Sequence, residues 1–117
     1  MTALRLEDLE ARLRPHFKAE AATTMRRVYQ IVAQQTPQFF LQVEDGALTL
    51  GLGAWTGTGL PRVTFFYPSL DLAFAILEGE ADPMAAFMAG DVRSDGHLIM
   101  ALQLGLLFPP KPRSSAL

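Results

Sequence analysis

Cysteine is absent from the 117 residues, which excludes a disulfide framework, a thiolate nucleophile and a cysteine metal site and fits a reducing compartment. Histidine is scarce. The two histidines, His16 and His97, stand far apart and neither has a partner at metal-ligand spacing, so surface or structural roles are expected for both. There is no excess of basic charge either: ten Lys and Arg against twelve Asp and Glu leave a net charge of −2. Scattered cations of that kind give no footprint for nucleic acid, whose phosphates demand clustered Lys and Arg. Nor is there an uncharged apolar run near the ~18 to 20 residues that cross a bilayer, although 50% of the residues are hydrophobic.

The opening Met1-Thr2-Ala3-Leu4-Arg5-Leu6-Glu7-Asp8 places acids where a signal peptide needs a basic start and a long apolar run, so cytoplasmic residence is the expectation. The final Ser115-Ala116-Leu117 is close to a peroxisomal address but lacks its basic middle residue. The length suits one domain, which is expected to span residues 1–108 around a single core, with 109–117 as a disordered tail.

The usual marks of catalysis are missing as well. Glycines 51, 53, 57 and 59 crowd one segment, but the spacing is wrong for a dinucleotide fingerprint and no Walker lysine follows. A flexible connection between strands is the simpler reading. Asp91 with Asp95, and Glu78 with Glu80 or Asp82, sit in turns where alternating acids serve as solvated caps. Ser69 lacks the Gly-x-Ser-x-Gly elbow that exposes a hydrolase nucleophile. A small hydrolase would need a nucleophile and a base that the chain does not supply. No catalytic residue, cofactor or metal is expected.

What the chain does have is hydrophobic periodicity. Leu6, Leu9, Leu13 and Phe17 recur at helical spacing among charged residues, predicting an amphipathic first helix that Pro15 bends or ends. Val28 to Val32 fits a first strand, with a continued helix as the alternative. Phe39, Leu41 and Val43 alternate, Asp45-Gly46 follows, and Leu48, Leu50 and Leu52 alternate again, which predicts a hairpin. After the glycine-rich connection around Trp55, Arg62 to Tyr67 forms another strand.

Ser69 then caps a helix that runs to about Glu78, with Asp71 in its first turn and Gly79 ending it. Asp82 caps a second, very short helix that starts at Pro83 and is stopped by Gly90. So short a helix needs tertiary burial, and the spacing assigns that burial to Met84, Phe87 and Met88. Asp91 to Ser94 is a short strand with a turn at Asp95-Gly96. The stretch Leu98 to Phe108 is apolar nearly all round, so it is either buried on several sides or covers a cavity. The resulting order is one helix, three or four antiparallel strands, two helices, one strand and one helix, an α+β fold with helices on one face of the sheet.

Tyr29-Gln30, the Val43-Glu44-Asp45-Gly46 hairpin, Ser69-Leu70, and then Gly79, Asp82-Pro83, Ala86-Phe87-Met88, Gly90 and Gly96 together resemble the sterol carrier protein 2 family. The likeness runs from about residue 25 to residue 108. It implies a five-stranded, largely antiparallel sheet with helices packed on one face, enclosing a hydrophobic tunnel for fatty acids, acyl-CoA esters, phospholipids or sterols. Family members act as lipid carriers or as appended domains of lipid-handling enzymes, and the domain itself is not usually catalytic. The compact length is similar to that of a stand-alone bacterial member. Where the family commonly carries basic residues around the late strand, this chain has Asp91-Val92-Arg93-Ser94-Asp95, which argues against strong attraction to acidic membranes or to coenzyme A phosphates. At most a transient membrane contact is expected.

On that resemblance the candidate ligand-binding residues are Phe65, Phe74, Leu77, Met84, Phe87 and Met88, followed by Met100, Leu102, Leu104 and Phe108. Methionine suits such a lining because it is flexible and polarizable. Burying a ~16-carbon chain is worth roughly 13 kcal/mol at ~0.8 per methylene, against an association cost of about 4 to 15 kcal/mol, so binding is feasible without a charged anchor. Without the resemblance the same stripe reads as plain core. The alternative function is an interaction module whose last helix docks on a lipid-metabolising enzyme or on a second copy in a homodimer.

Overall fold

The computed structural model describes residues 4–111. Helix α1 (Leu6–Leu13) leads through two short 3₁₀ turns into β1 (Arg26–Ala33), β2 (Thr36–Glu44), β3 (Ala47–Leu52) and β4 (Arg62–Tyr67). Helices α2 (Leu70–Leu77) and α3 (Pro83–Met88), strand β5 (Arg93–Asp95) and helix α4 (Leu98–Leu107) complete the chain. Pro15 falls in the first 3₁₀ turn, so α1 stops at Leu13 and Phe17 lies beyond it in extended backbone, its ring tilted against that of Phe108 with centroids 5.7 Å apart.

The five strands form one sheet in the order β3-β2-β1-β4-β5. Most of its pairs are antiparallel, and Asp45 (φ 50°) and Gly46 (φ 89°) make the β2–β3 turn in the left-handed conformation that a two-residue hairpin requires. The expectation that all the early strands run antiparallel fails at one place: β1 and β4 are parallel, with Tyr29 opposite Val63 and Ile31 opposite Phe65. Parallel neighbours need a crossover connection, not a hairpin. Here the glycine-rich segment after β3 supplies it, crossing the sheet on the side away from the helices. Three strand spacings of about 4.8 Å are easily spanned by such a loop.

That loop is fastened by the buried Gln30 of β1. Its Nε2 donates to the carbonyls of Phe39 and Gly53, both at 3.0 Å, and its Oε1 accepts from the Trp55 backbone N–H at 2.8 Å. The Trp55 indole N–H donates to Gln42 Oε1 at 3.2 Å. On the opposite face Tyr29, Ile31, Phe39, Leu41, Val43, Val63 and Phe65 meet the helices in one continuous core. Alternation along each strand produces this division.

The helix ends follow the sequence signals. Ser69 Oγ accepts from the Leu72 N–H at 3.2 Å, and Asp82 Oδ1 accepts from the Met84 N–H at 3.0 Å. Gly79 and Gly90, both at φ 82°, turn the chain out of α2 and α3. At the start of the segment expected to be a tail, the Lys111 N–H donates to the Gly79 carbonyl at 2.9 Å, and its ammonium pairs with Glu80. The rest of that tail, 112–117, lies outside the described residues.

Candidate functional site

Between the helix-bearing side of the sheet and helices α2, α3 and α4 lies an apolar cavity of about 290 Å³. Strand β4 lays down one wall with Phe65 and Tyr67, which alternate onto the same face, and α2 adds Ile76 and Leu77 from its last turn. Val92, on the lead-in to β5, is a further buried contributor. On α4 the positions Leu98, Ala101, Leu102 and Gly105 recur at helical spacing and face the cavity, with Leu104 and Phe108. Helix α3 offers Met84 and Phe87.

The two sides of this pocket differ in depth. Phe65, Tyr67, Leu77, Leu104 and Phe108 are buried, whereas Met84 (51% exposed), Phe87 (41%), Leu98 (58%) and Leu102 (52%) also reach solvent. The opening therefore lies between α3 and α4. Asp82 is the charged residue of the wall, and it is exposed and engaged in capping α3. Among the described residues no Lys or Arg side chain lines the cavity.

Seven of the ten side chains proposed from the sequence thus meet in one place: Phe65, Leu77, Met84, Phe87, Leu102, Leu104 and Phe108. Three are placed elsewhere. Phe74 sits on the side of α2 turned to β2 and α1, stacked on Phe39 with centroids 5.5 Å apart, while the Arg12 guanidinium lies 3.9 Å from its ring centroid. Arg12 is itself held by Glu78 at 2.7 and 3.1 Å. Met88 is 80% exposed, because the ~100° step from Phe87 carries it off the cavity side of α3. Met100 packs against the core, and its carbonyl accepts from the Tyr29 hydroxyl at 2.6 Å.

Tyr67, Ile76, Val92 and Leu98 were not among the candidates. Tyr67 follows Phe65 at the two-residue period of a strand, and Leu98 precedes Leu102 by one helical turn, so both carried a usable signal. Gly105 carried none, since a glycine adds no hydrophobic mark to the pattern.

Polar groups near the cavity have different partners. The Tyr29 hydroxyl is used twice, donating to Met100 and accepting from Arg27 at 3.4 Å, and Arg27 also donates to Gln103 on α4. These bonds tie β1 to the helix that covers the pocket. The Tyr67 hydroxyl makes no hydrogen bond among the described residues, although the residue is only 5% exposed. Burial raises the pKa of both tyrosines, so each hydroxyl stays protonated and able to donate. Among the described residues no cluster of His, Asp and Glu could hold a metal ion, and no helix is long and apolar enough to cross a membrane.

A mixed sheet with helices on one face and an apolar pocket opening between two of them defines a small α+β domain built around an internal hydrophobic site. The chain belongs to the SCP-2 sterol transfer family, whose profile matches residues 6–109. Lipid binding and transfer are the general business of that family, and its domain is typically non-catalytic even where it forms part of a larger enzyme.

Solved structures with the same fold include the stereoselective inverting sec-alkylsulfatase Pisa1 from a Pseudomonas species, at 20% identity and a TM-score of 0.63 over 86% of this chain. The chain spans only 16% of that enzyme's length. A sterol carrier protein domain 2 of Helicoverpa armigera matches at 17% identity and a TM-score of 0.60, with 89% of each chain covered. A UbiJ-SCP2 ubiquinone synthesis protein matches at 16% identity and a TM-score of 0.62, covering 84% of this chain and 86% of that one. No curated protein matches the chain in sequence.

Proposed function

We propose that this chain holds the apolar part of a lipid in the cavity between β4, α2, α3 and α4, and carries or presents it without transforming it. The observation that carries this reading is the pocket itself: aliphatic and aromatic walls, no cation among the described residues, and an opening flanked by Met84, Phe87, Leu98 and Leu102. Its volume stands at the small end of the roughly 300 to 1,000 Å³ of small-molecule sites. That size suits an acyl or isoprenoid-like segment of a fatty acid, phospholipid or sterol-like lipid, with any charged headgroup left outside the opening. One structural neighbour is a sterol carrier protein domain and another a ubiquinone synthesis protein, and both are compatible with such a ligand.

Uptake and release would occur by separation of α3 from α4. Native mass spectrometry of freshly purified protein, followed by solvent extraction, tests the reading. A co-purifying lipid in one-to-one stoichiometry is the expected result, and a ligand-free protein that also refuses added fatty acid would overturn it.

One observation favours a second reading. Leu98, Ile99, Leu102 and Leu106 leave α4 with an apolar exposed side, and such a patch also suits docking on a lipid-metabolising enzyme or on another copy of the chain. A ligand-free dimer in the same spectra would favour this interaction role.

A further inference from the structure

We infer that the Tyr67 hydroxyl is the polar anchor of the cavity, and that it selects a lipid whose buried end carries an uncharged oxygen such as a hydroxyl, ester or ketone. The inference rests on the lipid-binding reading above and names the chemical class of the ligand.

The argument begins with position. Tyr67 closes β4, alternates with Phe65 onto the cavity side and is nearly completely buried there. The opening lies on the other side, between α3 and α4, so a ligand entering from solvent meets Tyr67 with its leading end. Next comes satisfaction. Among the described residues the one side-chain polar atom that is both fully shielded and without a partner is Arg27 Nε, so the Tyr67 hydroxyl keeps some open surface, and in a residue that lines the cavity that surface is available to a ligand or water. The Tyr29 hydroxyl, one strand away on the same face, shows the ordinary solution, with both a donor and an acceptor supplied by the protein. Tyr67 has neither among the described residues.

Charge then decides the chemistry. With no Lys or Arg among the described residues of the wall, an ionised carboxylate or phosphate driven to the Tyr67 end would find no counter-ion among them in apolar surroundings, which is strongly unfavourable. A hydroxyl or carbonyl oxygen can accept the single hydrogen bond on offer at no such cost. Fatty acids can still bind, but tail first, with the carboxylate at the exposed rim and no contact with Tyr67.

The test is calorimetric titration of the whole chain and of its Tyr67→Phe variant with 1-decanol and with decanoate. The substitution removes only an unpartnered hydroxyl, so an unchanged or slightly higher melting temperature is expected and certifies the fold. Decanol should bind the native chain roughly three- to tenfold more tightly than the variant, the range of one net hydrogen bond, while decanoate binds both alike within about twofold. Equal decanol affinity for the two proteins would overturn the anchor while leaving lipid binding intact, and so would a matching loss for decanoate. Failure of both ligands to bind the native chain would instead contradict the lipid-binding reading itself.

Discussion

Gln30 illustrates how a single polar side chain can organise a sheet face. It is 3% exposed, yet both donors and its acceptor are used, and two of the three bonds hold the crossover loop at Gly53 and Trp55. Truncation would strand the Trp55 N–H and the Gly53 carbonyl in a poorly solvated position. Gln30→Ala is therefore expected to cost about 1 to 3 kcal/mol. Urea denaturation checks this, since the midpoint should fall without a change in slope. Trp55 is the only tryptophan, so its fluorescence reports the loop directly. Lipid affinity should survive, because the cavity lies on the other side of the sheet. Arg12, Phe74 and Phe39 form a comparable stack between α1, α2 and β2, which holds Phe74 in the core and away from the cavity beside α3 and α4.

At the scale of elements, α3 is the least anchored of the α-helices. It has six residues, none of them buried, and it is defined by its Asp82 cap, Pro83 and the exit at Gly90. Short helices without burial are marginal in water, so α3 is well suited to yield when the pocket opens. Met88→Trp enlarges a side chain that already faces solvent, and a decanoate titration should give an affinity within about twofold of the native chain. A loss beyond fivefold would mean that Met88 reaches the ligand after all.

Much of this level was legible in the amino-acid sequence, because Ser69, Gly79, Asp82-Pro83, Gly90 and the Asp45-Gly46 turn each perform a local task that residue type determines. Two things were not local. The parallel β1–β4 pair depends on where a glycine-rich loop travels, which hydrophobic alternation does not encode. The apolar side chains of α3 and α4 signal that something covers or fills the space beside them. They do not say which of them turn inward, and Met88 and Met100 were assigned to the pocket for that reason.

The whole molecule is a sheet with two unlike faces, one sealed by a pinned loop and one covered by helices around a pocket. Three helices and β4 contribute to that pocket, so its existence depends on the complete fold and its opening on the two helices nearest solvent. Gly105 offers a way to close it from within. A Cβ added there would meet no atom within 4 Å, and the residue lines the cavity, so a leucine is expected to take up part of the cavity. Leucine is also the better helix former by roughly 0.8 kcal/mol, and Gly105→Leu should melt a few degrees higher than the native chain. The measurement that bears most directly on the lipid-holding role is calorimetric binding of decanoate to Gly105→Leu beside the native chain. A more stable protein whose affinity falls at least tenfold is the expected result. A more stable protein that binds decanoate as well as before would contradict the assignment of this cavity as the lipid site.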